Sequence, residues 1–138
     1  MSEISTEYLQ RCIETLEKSY AFLQNAQEGS IDYEMYRNSL VKGFEITLEQ
    51  SGKLLKKKIT PYFASKKQVD QLTFKDLFRH ASKHGILDDD EVLRWFEYRD
   101  NRNDTAHDYG QKFAQETVKL TQSFIEDAKK LKGIIENE

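Results

Sequence analysis

Between Ser5 and about Gln27 the apolar positions Tyr8, Leu9, Cys12, Ile13, Leu16, Tyr20 and Leu23 recur at spacings of three and four. That period gathers them on one face of an α-helix. Gly29 and Ser30 interrupt the pattern. A second run through Tyr33, Tyr36, Leu40, Val41, Phe44, Leu48 and Leu55 then extends to Ile59, where Pro61 stops it. Gly43, Ser51 and Gly52 fall inside this run; each helical glycine costs about 1 kcal/mol relative to alanine, so close approach of another helix or a bend is expected there. Pro61 to Leu72 reads as a polar connection. Thr73 and Asp76 form a capping signature for a short helix ending at Gly85, and Asp88 with Glu91 repeats it. The helix that follows carries Val92, Trp95, Phe96 and Arg99 on one side and continues toward the segment Arg102 to Tyr109, before Gly110. A last helix has the stripe Phe113, Leu120, Phe124, Ala128, Leu131 and Ile135, with Lys129, Lys130 and Lys132 complementing the dipole at its carboxyl end.

Three long helices and two shorter ones with brief connections predict an all-α, up-and-down bundle of four to five helices, with residues 1–138 forming one domain. Composition agrees: 138 residues with 38 % apolar content can fill one core, whereas six glycines and one proline are too few turn-formers for a many-stranded barrel. The rings of Tyr33, Tyr36, Tyr62, Phe63, Trp95, Phe96 and Tyr98 exceed what one small bundle is expected to hide. A partly apolar outer face and a homodimer are therefore expected; the alternative is that the rings sit in the monomer core or scatter on its surface. No apolar run spans a bilayer and no secretory start is visible, so a cytoplasmic protein without membrane contact is expected. The single cysteine, Cys12, lies on an apolar stripe and reads as a packed thiol. A net charge of -3 argues against a generally basic, nucleic-acid-coating surface and leaves room for a local basic cleft.

The densest polar cluster is Arg99-Asp100-Asn101-Arg102-Asn103-Asp104-Thr105-Ala106-His107-Asp108-Tyr109. On a regular helix Arg102 and His107, five apart, are rotated by roughly 140°. If they act together, either the helix distorts between them or they meet across a dimer interface. Their chemistry suits metal-free RNA cleavage. An imidazole can take the proton of a ribose 2′-hydroxyl or give one to the leaving 5′-oxygen, and a guanidinium can grip the scissile phosphate. The alternative is a solvated ionic face in which Arg99 and Arg102 pair with Asp100, Asp104 or Asp108 while His107 caps a helix end. Arg79 and His84 repeat the same gap, but Gly85 and Ile86 follow and read as a helix stop.

The run Arg102-Asn103-Asp104-Thr105-Ala106-His107-Asp108-Tyr109 resembles the Arg-x4-His-x-Tyr motif of the HEPN superfamily, in particular the bacterial HEPN proteins encoded beside a minimal nucleotidyltransferase. The resemblance implies a homodimeric helical bundle, or a higher oligomer, with the motif at the subunit interface. It further implies a metal-independent RNase toxin without cofactors, in which Arg102 and His107 match the catalytic positions and Asn103 the supporting polar residue. A cognate minimal nucleotidyltransferase would be the antitoxin, transferring AMP onto Tyr109. Each AMP adds bulk and negative charge two positions from His107, enough to fill a cleft and repel RNA.

Transfer RNA is the first substrate to consider. Lys56, Lys57 and Lys58, with Lys53, Lys66 and Lys67 nearby, form the most basic stretch and with Arg99 are candidate contacts to an RNA backbone. His80 and His84 share a helical face and could offer two ligands to a metal, but a third is missing, so no metal site is expected. A rival reading makes the chain a non-catalytic adaptor that binds a nucleotidyltransferase and presents its substrate.

Overall fold

A computed structural model describes residues 4–107 and 111–137, and the backbone alone of residues 103–107 and 111–113. Six α-helices follow one another, with no strand among the described residues: α1 (Glu7–Asn25), α2 (Ile31–Ile59), α3 (Lys66–Asp70), α4 (Phe74–Lys83), α5 (Asp89–His107) and α6 (Gln111–Glu136). A single 3-10 turn, Thr60–Tyr62, follows α2 and contains Pro61.

The boundaries have local causes. Gly29 takes φ +89°, a region that costs a glycine nothing, and Ser30 then caps α2 by accepting the Tyr33 N–H at 3.1 Å. Thr73 and Asp76 form a reciprocal capping box at α4, and Gly85 at φ +71° terminates that helix. Asp88 and Glu91 exchange the same pair of bonds before α5.

Facing residues fix the directions. Ser19 meets Ser39, Phe22 meets Tyr36, and Leu16 lies against Gly43, so α1 and α2 run antiparallel. Glu91 faces Lys130, Arg94 faces Asp127 and Asn101 faces Thr117, which makes α5 and α6 antiparallel too. Helix α2 is central, packing on α1, α4, α5 and α6. The core runs from Leu9, Ile13 and Leu16 through Leu40, Phe44 and Leu48 to Trp95, Tyr98, Phe124 and Leu131. Phe44, Trp95, Tyr98 and Phe124 form one cluster of mostly edge-to-face rings, the arrangement favoured by the ring quadrupole.

Two expectations change. The stretch 61–72 is not merely a polar connection: Ser65 caps α3 by accepting the Gln68 N–H, and Val69 is fully buried. One helical turn has a single inward position, too few to show a period. The aromatic residues also distribute differently. Trp95 and Tyr98 are core, and Tyr33, Tyr36, Phe63 and Phe96 pack partly buried against it, leaving Tyr62 as the exposed ring of that set. That set of rings therefore supplies no argument for a dimer; the exposed large apolar side chains are instead Tyr8, Phe22, Ile31, Met35, Tyr62 and Leu93 among the described residues. Cys12 is buried as expected, and burial is the main influence pushing its thiol pKa up. No helix among the described residues is long and apolar enough to cross a membrane.

Candidate functional site

Helix α5 must present its polar carboxyl half at a fixed place, and the amino half is what anchors it. Arg94 donates two hydrogen bonds to Asp127, both at 2.9 Å. The Tyr98 hydroxyl donates to the same carboxylate at 2.5 Å and lies 3.0 Å from Ser123 Oγ. Burial, followed by the bond to Asp127, holds the Tyr98 hydroxyl well above its ordinary pKa. Lys130 reaches the buried Glu91 carboxylate at 3.0 Å. Together these ties lock α5 against α6 one turn after another.

Beyond this anchor the sequence-predicted residues come into view. Arg102 is mostly covered. Its Nη2 donates to Glu49, and its Nε lies 3.8 Å from the Glu45 carboxylate, without a hydrogen-bond partner among the described residues. Arg102 thus pairs across helices, with two α2 carboxylates four residues apart; the side chains of Asp104 and Asp108, two of the partners expected within the strip, lie outside the described residues. Asp100 turns instead to Lys75 at 2.8 Å. Arg99 lies 5.1 Å over the Phe74 ring; burial first, then the charge of Arg102, push its pKa down. The backbone is α-helical from Asp89 through His107, so the helix does not distort between Arg102 and His107, and their Cα positions stay roughly 140° apart around the axis. The side chains of Asn103 and His107, and all of Tyr109, lie outside the described residues.

Arg99 and Arg102 share a groove of 320 Å³ with Lys53 and Lys56 from α2, floored by Gly52, Leu72, Phe74 and Leu77, with Glu49 on its wall. Lys56 is held there by Asp70 at 2.7 Å. Lys57 and Lys58 do not line this groove: Lys57 is exposed, and Lys58 donates to the Asn137 carbonyl at the end of α6. Glu45, Glu49 and Phe74 join the site from outside the sequence-predicted set. The available signal was the polar stripe Glu45, Glu49, Lys53 recurring every four residues inside the α2 pattern.

His80 and His84 both turn to the segment after α2, His84 stacking on Tyr62 at 4.0 Å and His80 meeting the edge of Phe63 at 4.8 Å. No group of three potential ligands gathers among the described residues.

Comparison with known proteins bears on both rival readings. A probable ribonuclease HepT of Haemophilus influenzae is 29 % identical over 85 residues, which are 62 % of this chain and 57 %, little more than half, of that relative's length. A Haemophilus influenzae structure, described as revealing the fold of a substrate binding domain of a nucleotidyltransferase, superimposes with a TM-score of 0.81 at 22 % identity. It covers 96 % of this chain and all of its own. A crystal structure from Thermus thermophilus does so at 0.75 and 19 % identity, over 94 % and 99 %. These two likenesses establish the helical fold. The profile of the family described as nucleotidyltransferase substrate binding protein like matches residues 7–137, nearly the whole sequence, and the chain belongs to that family.

Proposed function

We propose that this protein is a toxin-type endoribonuclease whose residues 1–138 form one HEPN-like helical domain, with Arg102 and His107 as its catalytic pair. The observation that carries the reading is the position of Arg102 in a cationic groove, at the start of the Arg-x4-His run on a rigidly anchored α5. The relative named a probable ribonuclease supports it. In the reaction, the ribose 2′-oxygen attacks the adjacent phosphorus as a His107 imidazole accepts its proton. The bond to the 5′-oxygen breaks, and that oxygen receives a proton from a second imidazole, leaving a 2′,3′-cyclic phosphate and a 5′-hydroxyl. The nucleophile is internal to the RNA, so no metal-bound water is required. Arg102 would exchange Glu49 for the phosphate and offset the charge that builds on the five-coordinate phosphorus.

A continuous helix keeps Arg102 and His107 of one chain on different faces. The reading therefore includes a homodimer, in which each copy supplies part of a shared cleft and Asn103 supports the arginine. Its setting is the cytoplasm and its first substrate to assay is transfer RNA. Neutralisation would come from a cognate minimal nucleotidyltransferase that attaches AMP to Tyr109. Mass spectrometry of the protein coexpressed with such a neighbour is expected to find AMP on Tyr109; an unmodified chain in a tight complex would overturn that step.

The family description favours a second reading, a non-catalytic adaptor that docks a nucleotidyltransferase and presents its substrate. Expression of the chain alone separates the two. The toxin arrests growth and its His107→Ala variant does not, whereas the adaptor is harmless in both forms.

A further inference from the structure

Phe74 separates two grooves, one with its lysine and Arg79 paired to carboxylates and the other net cationic. On one side Lys75 and Arg79 line a groove with Arg99 and Asp100, but Lys75 is neutralised by Asp100 at 2.8 Å and Arg79 by Asp76 at 2.9 Å. On the other, Lys53 and Arg99 stand beside Arg102 and Lys56. Among the described residues neither Lys53 nor Arg99 has a carboxylate within ion-pair distance. Glu49 is the groove's one carboxylate among the described residues lining it, and it is bonded to Arg102, so four cations beside an apolar floor leave the surface net positive and anion-seeking.

The floor is equally specific. Gly52 lacks a side chain where the Phe74 ring passes: a Cβ there would lie 2.9 Å from Phe74 Cε2. The ring therefore sits against the bare backbone of α2, with the Phe78 ring centred 4.8 Å away and the Arg99 guanidinium 5.1 Å over it. Leu72 and Leu77 complete an apolar surface too small for a helix to dock on and of the right size for one planar ring.

We propose that this groove is a subsite for a single-stranded RNA nucleotide flanking the cleaved bond, with its base against Phe74 and Arg99 and its phosphate between Lys53 and Arg99. The site rests on the ribonuclease reading and extends it, since it assigns binding to residues outside the Arg-x4-His run. A ring that stacks a base and cations that track the backbone is how sequence-tolerant single-strand binding is built. The substrate near the cut would accordingly be unpaired, as a base in a duplex cannot lie on Phe74.

Binding is measured on full-length His107→Ala protein, which holds RNA without cutting it, using a short single-stranded RNA and the same oligomer with one abasic position. Adding Lys53→Ala and Arg99→Gln is expected to weaken binding about ten-fold or more. The salt dependence of affinity should flatten by about 1.4 in logarithmic slope, two contacts at about 0.7 each. Phe74→Leu, which keeps the floor apolar, is expected to erase the preference for the intact over the abasic oligomer. Unchanged affinity and salt slope in the double variant, with wild-type protein still cutting RNA, would overturn the subsite and leave the ribonuclease reading standing. Wild-type protein that neither binds nor cuts RNA would overturn both.

Discussion

Single residues carry the placement of α5. Asp127 is the clearest, because one carboxylate accepts from Arg94 twice and from Tyr98 once. Asp127→Ala would leave the buried Tyr98 hydroxyl with Ser123 alone and an arginine without its anion. A loss of about 2–3 kcal/mol is expected, for the desolvated groups left behind rather than for the surface share of the pair. Urea unfolding checks this, and a midpoint equal to wild type would show that the network positions nothing. At this scale the sequence was partly legible. The Asp88 and Glu91 capping pair could be read directly, since it is local and its spacing is its mechanism. The partners of Arg102 could not: Asp100, Asp104 and Asp108 were nearer in sequence, and only the packing of α5 against α2 brings Glu45 and Glu49 within reach.

At the scale of elements, the glycines of α2 and α6 make opposite predictions. A Cβ at Gly52 would meet the Phe74 ring at 2.9 Å, whereas one at Gly133 in α6 would meet nothing within 4 Å. Both positions gain helix propensity from alanine. Gly133→Ala is therefore expected to stabilise by about 0.5–1 kcal/mol. Gly52→Ala must also displace a ring packed beside Phe78, and overpacking of about 1–3 kcal/mol leaves a net loss of about 1 kcal/mol. Melting temperatures moving in opposite directions are the expected result; two increases would show that the ring shifts freely. The long helices were visible from the sequence because each repeats its inward positions over several turns. Helix α3 was not, and the inward face of α5 was misjudged at Tyr98, a ring whose polar end conceals a core role until Asp127 is seen beside it.

For the whole molecule, acid stability follows from carboxylates placed at helix starts. Asp76 is held below the ordinary carboxyl range chiefly by the Thr73 backbone N–H, and Asp88 by that of Glu91. Asp70 is lowered by its bond to Lys56. A folded-state pKa below the unfolded value means that the stabilisation is complete above about pH 4 and is lost as pH falls through the folded-state values. The urea midpoint is expected to hold down to about pH 4 and to drop below it, less steeply in Asp88→Asn; a flat wild-type profile below about pH 4 would contradict this. The helical fold and the family were both legible in the chain, one from periodicity and the other from eight residues. The groove was legible only in its cations Lys53, Lys56 and Arg99, because its residues come from α2, α4 with the segment before it, and α5, and meet only in three dimensions. The most direct measurement is the rate of RNA cleavage in the presence of a chelator by the wild-type protein and by the Arg102→Ala and His107→Ala variants, with the cleaved ends identified. Wild type is expected to leave 2′,3′-cyclic phosphates, and each variant to lose about a hundred-fold or more in rate with its melting temperature unchanged. A His107→Ala protein that cuts RNA at the wild-type rate would contradict the assignment.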